Sequence, residues 1–180
     1  GFFAAVSYGA QAMTARRFAE GNDHRTGQVL FNAACVAVVA GILGSAIAWF
    51  SAPAVVDYLA EASEAQKDLG IRYTQWRALG IGGMVITFSF KAFYDGIGRT
   101  YVHLIAAVAM NFFNIGLNYV LIFGVESLGV PRMGLDGAGI ASMVSTWVGM
   151  LIMVGVTMRG HYRKRFAIFR FSHVDPKVMG

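Results

Sequence analysis

The chain has 180 residues, of which 56% are hydrophobic and 14% charged, with a mean hydropathy of +0.54. Soluble domains carry about a quarter charged residues, and here the few charges are clustered, so the composition excludes an ordinary soluble domain and predicts an integral membrane protein. The net charge of +5 is no argument for a nucleic-acid partner, because the basic residues stand at the ends of apolar runs, where anchoring and topology account for them.

Gly1–Ala15 is uncharged but too short to cross a bilayer alone, so it reads as the tail of a helix that starts upstream. No signal-peptide pattern opens the chain, and the expectation is a piece of a longer protein cut at both ends. Arg16-Arg17 and the polar turn Glu20–Arg25 close this segment. Thr26–Val56 then holds no charge at all. A spanning helix needs about 20 of those residues, with Trp49 as an interfacial anchor near its far end and Pro53 just after it. Ala33, Ala37, Gly41 and Ser45 recur every four residues, a small-residue ridge against which another helix can pack closely. The lone cysteine, Cys35, lies in this run and reads as a small packing residue.

Asp57–Arg77 is polar and of mixed charge, and predicts a short amphipathic helix at the surface. A third span is expected from about Trp76 to Tyr94. Lys91 is embedded in its last turns, with Asp95 as an i+4 partner, an arrangement that favours anchoring over a transport role. Asp95 with Arg99 is expected to organise the glycine turn Asp95–Thr100.

Thr100–Gly124 is a full-length uncharged span that contains Asn111, Asn114 and Asn118. The spacing i, i+3, i+7 puts the three amides on one helix face. An amide facing lipid would leave donors and acceptors unpaired, at a cost of several kcal/mol. That face must point into protein or into a water-filled cavity. A loop over Val125–Asp136 and a fifth span over Gly137–Met158 come next, and then the basic cluster Arg159–Arg170. With alternating spans, Arg16, Arg17, Arg25, Arg99 and the Arg159–Arg170 cluster share one side, which the positive-inside rule assigns to the cytoplasm. The fold class expected is an all-α, polytopic membrane helical bundle of about five transmembrane helices.

No catalytic pattern is present. His24, His103, His161 and His173 lie near separate helix ends without metal-ligand spacing, and no serine or cysteine is paired with a base. Gly96-Ile97-Gly98 is too short a glycine pattern to cradle a phosphate and comes after a membrane helix rather than a strand.

Three segments resemble one family, the multidrug and toxic compound extrusion (MATE) transporters. QAMTARRFAEGN is similar to the end of the second helix of a lobe, and FKAFYDGIGRT to the turn between helices four and five. NFFNIGLNYVLIFG followed by MGLDGAGIAS resembles the signature of helices five and six. The resemblance implies helices two to six of one six-helix lobe, the N-terminal one, within a two-lobe (6+6) antiporter fold. Residues 1–170 would then be the partial lobe, and residues 171–180 the start of a cytoplasmic inter-lobe linker. It further implies Na⁺- or H⁺-coupled export of drugs and organic cations from the bacterial cytoplasmic membrane, with no cofactor and no enzymatic activity. The partners implied are the organic cations, the lipid bilayer and the second lobe.

On this likeness Asn114 and Asn118 fall where some members place an Asn and an Asp beside a bound cation. Ser142 matches the hydroxyl position of helix six, and Asn111 lies one turn further along the amide face. The bland reading of the amides is interhelical hydrogen bonding at about 0.6 kcal/mol each, and that of Ser142 is a bond back to its own helix. Two rival functions remain open: a flippase of the same superfamily for lipid-linked saccharides, and a non-transporting truncated membrane scaffold. A flippase would line its cavity with cations for pyrophosphate, and the amide face is neutral. The orientation has a direct check. In the full-length protein a cysteine at Lys164 should react with an impermeant maleimide only from the cytoplasmic side, and one at Glu126 only from the opposite side.

Overall fold

The structure, a computed structural model, describes residues 2–59 and 63–168. Its seven α-helices are, in order, α1 (Phe2–Ala19), α2 (Asp23–Leu59), α3 (Glu64–Ala78), α4 (Ile81–Gly96), α5 (Tyr101–Phe123), α6 (Gly134–Met158) and α7 (Gly160–Arg165). This is the all-α bundle expected. Of the described helices, α2, α5 and α6 are each long and apolar enough to cross a membrane.

The polar turn after α1 is built from local bonds. Arg16 and Arg17 each pair with Glu20 at 3.1 Å, and the two guanidinium groups, Arg17 first, hold its carboxyl below the usual range. Gly21 takes the left-handed conformation, φ 71°, that ends a helix without a Cβ clash. Asn22 then caps α2, its Oδ1 accepting the Arg25 amide at 3.1 Å.

α2 departs from expectation. It runs 37 residues without interruption and keeps Pro53 inside it, although proline removes one backbone bond and crowds the preceding turn. The turns beyond Pro53 persist because α3 packs on them: Asp57 lies 3.9 Å from Lys67, and Val56 lies beside Gly70. α3 is likewise not an isolated surface helix. It packs against both α2 and α6, with Arg72 on Asp136 at 3.3 Å and Trp76 against Gly139. Trp76 therefore ends α3 rather than opening the third span. The helix breaks at Leu79-Gly80, where Trp147 donates its indole N–H to the Leu79 carbonyl at 3.0 Å. α4 has 16 residues, about 24 Å of rise, shorter than an apolar core of about 30 Å.

α4 is the centre of the bundle, in contact with α1, α2 and α6. The ridge foreseen on α2 faces it. Ser89 donates to the Ala33 carbonyl at 3.2 Å, Ala37 is buried, and a Cβ on Gly41 would lie 2.8 Å from the Gly82 Cα. α1 packs on α4 and α2, and Ser7 donates to the Phe88 carbonyl at 3.1 Å. α5 lies almost wholly against α6, and α6 begins at Gly134, three residues before the expected start.

Leu30, Phe90, Phe93, Tyr94, Val102, Met153 and Phe166 share one buried cluster. It sits at the end of the bundle where α4 turns into α5. Within it, Tyr94 and Thr157 hydrogen-bond through their hydroxyls at 2.9 Å. The expected linker segment 171–180 and Arg170 of the basic cluster lie outside the described residues.

The α5–α6 contact has a sharp test. A Cβ on Gly137 would stand 2.6 Å from the Leu121 carbonyl oxygen, so Gly137→Val should destabilise the full-length protein by about 1–3 kcal/mol. An unchanged thermal melt in detergent would show that the two helices are not packed this way.

Candidate functional site

The amide stripe of α5 is partly assembled. Asn118 donates its Nδ2 to Asn114 Oδ1 at 2.9 Å, as an i, i+4 pair on one face permits. Both side chains are half-buried, whereas Asn111 is exposed. The Oδ1 of Asn118 is buried and has no hydrogen-bond partner. A buried carbonyl left so costs on the order of 1–3 kcal/mol. It is also the kind of oxygen that ligates a hard cation or accepts a proton donor. With one buried acceptor left unpartnered and the Asn114 oxygen accepting one bond, the stripe alone supplies too few oxygens for a complete cation shell.

Ser142 is brought to a different place. It lines a recess of about 270 Å³ between α2, α3, α4 and α6, together with Thr74, Arg77, Ile81, Met84 and Thr146, and α5 contributes no lining residue. Ser142 and the amide stripe of α5 thus do not share this recess. The two faces of α6 explain this: Gly137 and Gly149 turn toward α5, while Gly139 turns toward α3. The recess is lined in part by the apolar Ala48, Ile81 and Met84 and has one cation in its lining, Arg77, whose guanidinium lies over the Tyr73 ring at 5.8 Å. Its threonine hydroxyls are spent on their own helices, Thr74 on the Gly70 carbonyl and Thr146 on that of Ser142, both at 2.8 Å.

Lys91 pairs with Asp95, as the i+4 spacing predicts, with side chains 34% and 11% exposed. The carboxylate is thus committed to Lys91 rather than to Arg99. The turn is held instead by backbone bonds, Gly98 to Asp95 at 3.1 Å and Arg99 to Tyr94 at 2.7 Å. Among the described residues no three His, Cys, Asp or Glu side chains converge as metal ligands.

Asn32 was not singled out from the sequence. It is 3% exposed in α2, and neither Nδ2 nor Oδ1 has a hydrogen-bond partner. The signal was available, since an amide inside the uncharged run Thr26–Val56 is as costly as one in the α5 stripe.

Comparisons with known proteins bear on this arrangement. The MatE family profile matches residues 1–120. The chain belongs to the MatE family. It is similar to a probable multidrug resistance protein NorM of Thermotoga maritima, 28% identical over 173 residues, covering 96% of this chain and 36% of that protein. It is also similar to the multidrug resistance protein PmpM of Pseudomonas aeruginosa, 27% identical over 172 residues, covering 94% of this chain and 35% of that protein. A solved structure of a multidrug resistance MATE family transporter of the MOP superfamily, in an inward-facing conformation, superposes with a TM-score of 0.83. It shares 18% identity and covers 98% of this chain and 39% of that one. At that identity the likeness establishes the fold. This MatE chain thus spans about a third of the length of the curated relatives it matches, and it is an integral membrane protein.

Asn32 can be tested apart from the stripe. Asn32→Leu removes an orphaned buried amide, so the melting temperature of the full-length protein should stay level or rise, by up to about 1–3 kcal/mol of stability. A fall of several degrees would show that the amide has a partner.

Proposed function

We propose that the chain is part of one lobe, helices two to six, of a cation-coupled antiporter that exports drugs and organic cations across the bacterial cytoplasmic membrane. The relatives' names as multidrug resistance proteins support export of drugs. The observation that carries the site is the buried, unpartnered Oδ1 of Asn118 beside Asn114. On this reading Asn114 orients the Asn118 amide and Asn118 turns its carbonyl toward the coupling ion, Na⁺ or a hydrated proton. Asn111 stands at the open end of the stripe. The remaining ligands come from segments outside this chain, because one neutral oxygen cannot hold an ion alone. Ser142, in its own recess, contributes to the organic-cation pathway rather than to the ion shell.

The partners are then an organic cation, the bilayer and a second lobe. The neutral amides favour this reading over a flippase for pyrophosphate-linked lipids, which calls for cationic side chains.

Asn118→Ala in the full-length protein should lower ethidium efflux driven by a Na⁺ or H⁺ gradient roughly tenfold, equivalent to about 1.4 kcal/mol. Asn114→Ala should have a smaller effect in the same direction. Unchanged efflux with unchanged ion dependence in Asn118→Ala would remove Asn118 from the mechanism.

A further inference from the structure

The chain that leaves α6 is bound to its own bundle. After Arg159, α7 turns residues 160–165 back, and the next three residues reach the ends of α1, α2 and α4. Phe166 is 1% exposed and Ile168 3%. The Phe166 ring meets Phe93 edge-on at 5.3 Å and Phe18 at 6.2 Å. Its carbonyl occupies the space that a Cβ on Gly27 would take. Arg165 pairs with Asp23 at 2.9 Å, and its guanidinium lies over the rings of Phe18 and Phe166 at 5.5 and 5.2 Å. Tyr162 stacks edge-on with Tyr94 at 5.4 Å.

One further feature marks the segment as held rather than resting. Ala167 has φ 48°, the only positive φ at a non-glycine position among the described residues. A side-chain-bearing residue adopts that conformation at a cost and keeps it when its surroundings over-determine it. Here the surroundings are Phe166 and Ile168, buried on either side. The basic cluster is accordingly divided. Arg163, Lys164 and Arg165 are all exposed, but Arg165 is engaged by Asp23 and the Phe18 and Phe166 rings.

We infer that residues 159–168 form a strap that fixes where and in which direction the chain departs from the lobe, so that a movement of the lobe is passed rigidly to the polypeptide beyond it. A flexible tether would absorb such a movement, because its ends are free to reorient. The strap joins α6 to α1, α2 and α4 through contacts remote in sequence, and so moves with the bundle as one body. This inference rests on the two-lobe antiporter reading for its role in transport, but the seating of the strap does not.

The test uses the full-length protein in nanodiscs, with Cys35→Ser and spin labels on cysteines at Ala19 and Lys164. A seated strap gives one narrow distance, unchanged when ethidium is added or when Na⁺ or pH is varied. Phe166→Ala should broaden that distance and lower the kcat of ethidium efflux several-fold with KM unchanged, since substrate binding is not touched. Arg165→Glu, a surface change that spares the core, should broaden it as well, and Asp23→Arg in the same chain should restore the narrow distance. A broad or state-dependent distance in the parent protein would overturn the strap, as would a Phe166→Ala protein that broadens yet keeps its kcat. If the parent protein moves no ethidium, the antiporter reading fails while the distance still decides whether the strap is seated.

Discussion

α4 can lie where it does only because glycine faces glycine across its contact with α2. A Cβ at Gly41 would stand 2.8 Å from the backbone of Gly82, and one at Gly83 would stand 3.3 Å from the indole of Trp147. In lipid the hydrophobic effect gives no drive for helices to meet, so association depends on close van der Waals contact, which small residues permit. The rest of the bundle is arranged around this seat. α4 is held between α2 and Trp147 of α6, and at the break Leu79-Gly80 before it the indole of Trp147 meets the Leu79 carbonyl. α1 and α5 then take the places that α4 and α6 leave open.

The same crowding decides where polarity is tolerated. Serine and threonine fit because each can bond back one turn, as Thr87 does to Gly83, Ser145 to Ala141 and Thr157 to Met153, at 2.7–2.8 Å. An amide has both a donor and an acceptor to satisfy, and the bond within α5 satisfies only the donor of Asn118 and the acceptor of Asn114. The buried unpartnered atoms among the described residues are accordingly those of Asn32 and Asn118, with one carboxylate oxygen of Asp136. Unsatisfied polarity in this bundle is therefore concentrated at a few points, and a site for a small ion has few places to be.

Much of this was legible in the sequence, and the parts that were not have a common cause. Uncharged runs, the ridge on α2 and the Lys91–Asp95 spacing are local properties, and they gave the three membrane-length helices α2, α5 and α6, the face toward α4 and the ion pair. The course of α2 through Pro53 was not legible, because the turns beyond the proline are held by α3, a contact between distant residues. The polarity of α3 hid its role for the same reason, as its polar groups meet α2 and α6 rather than water alone. In the site, periodicity put Asn114 and Asn118 on one face, and they do touch. Ser142 was placed by likeness to a motif, and a motif records position along a helix without saying which of two neighbours that face of the helix meets. Asn32 was missed for lack of a repeat, although a single amide in an apolar run carries the same physical signal.

The length of α2 has a consequence for depth in the bilayer. Its uncharged stretch from Thr26 to Val56 rises about 46 Å, well beyond a hydrocarbon core of about 30 Å. A helix of that kind is a poor ruler, because sliding it several ångströms along the membrane normal moves no charge into lipid. The vertical position of the bundle is set instead by its shorter members, with Arg16 and Arg17 closing α1 and Lys91 and Arg99 flanking the end of α4. Thinner and thicker membranes would shift how much of the α2–α3 hairpin stands in water while leaving the amide stripe of α5 at nearly constant depth.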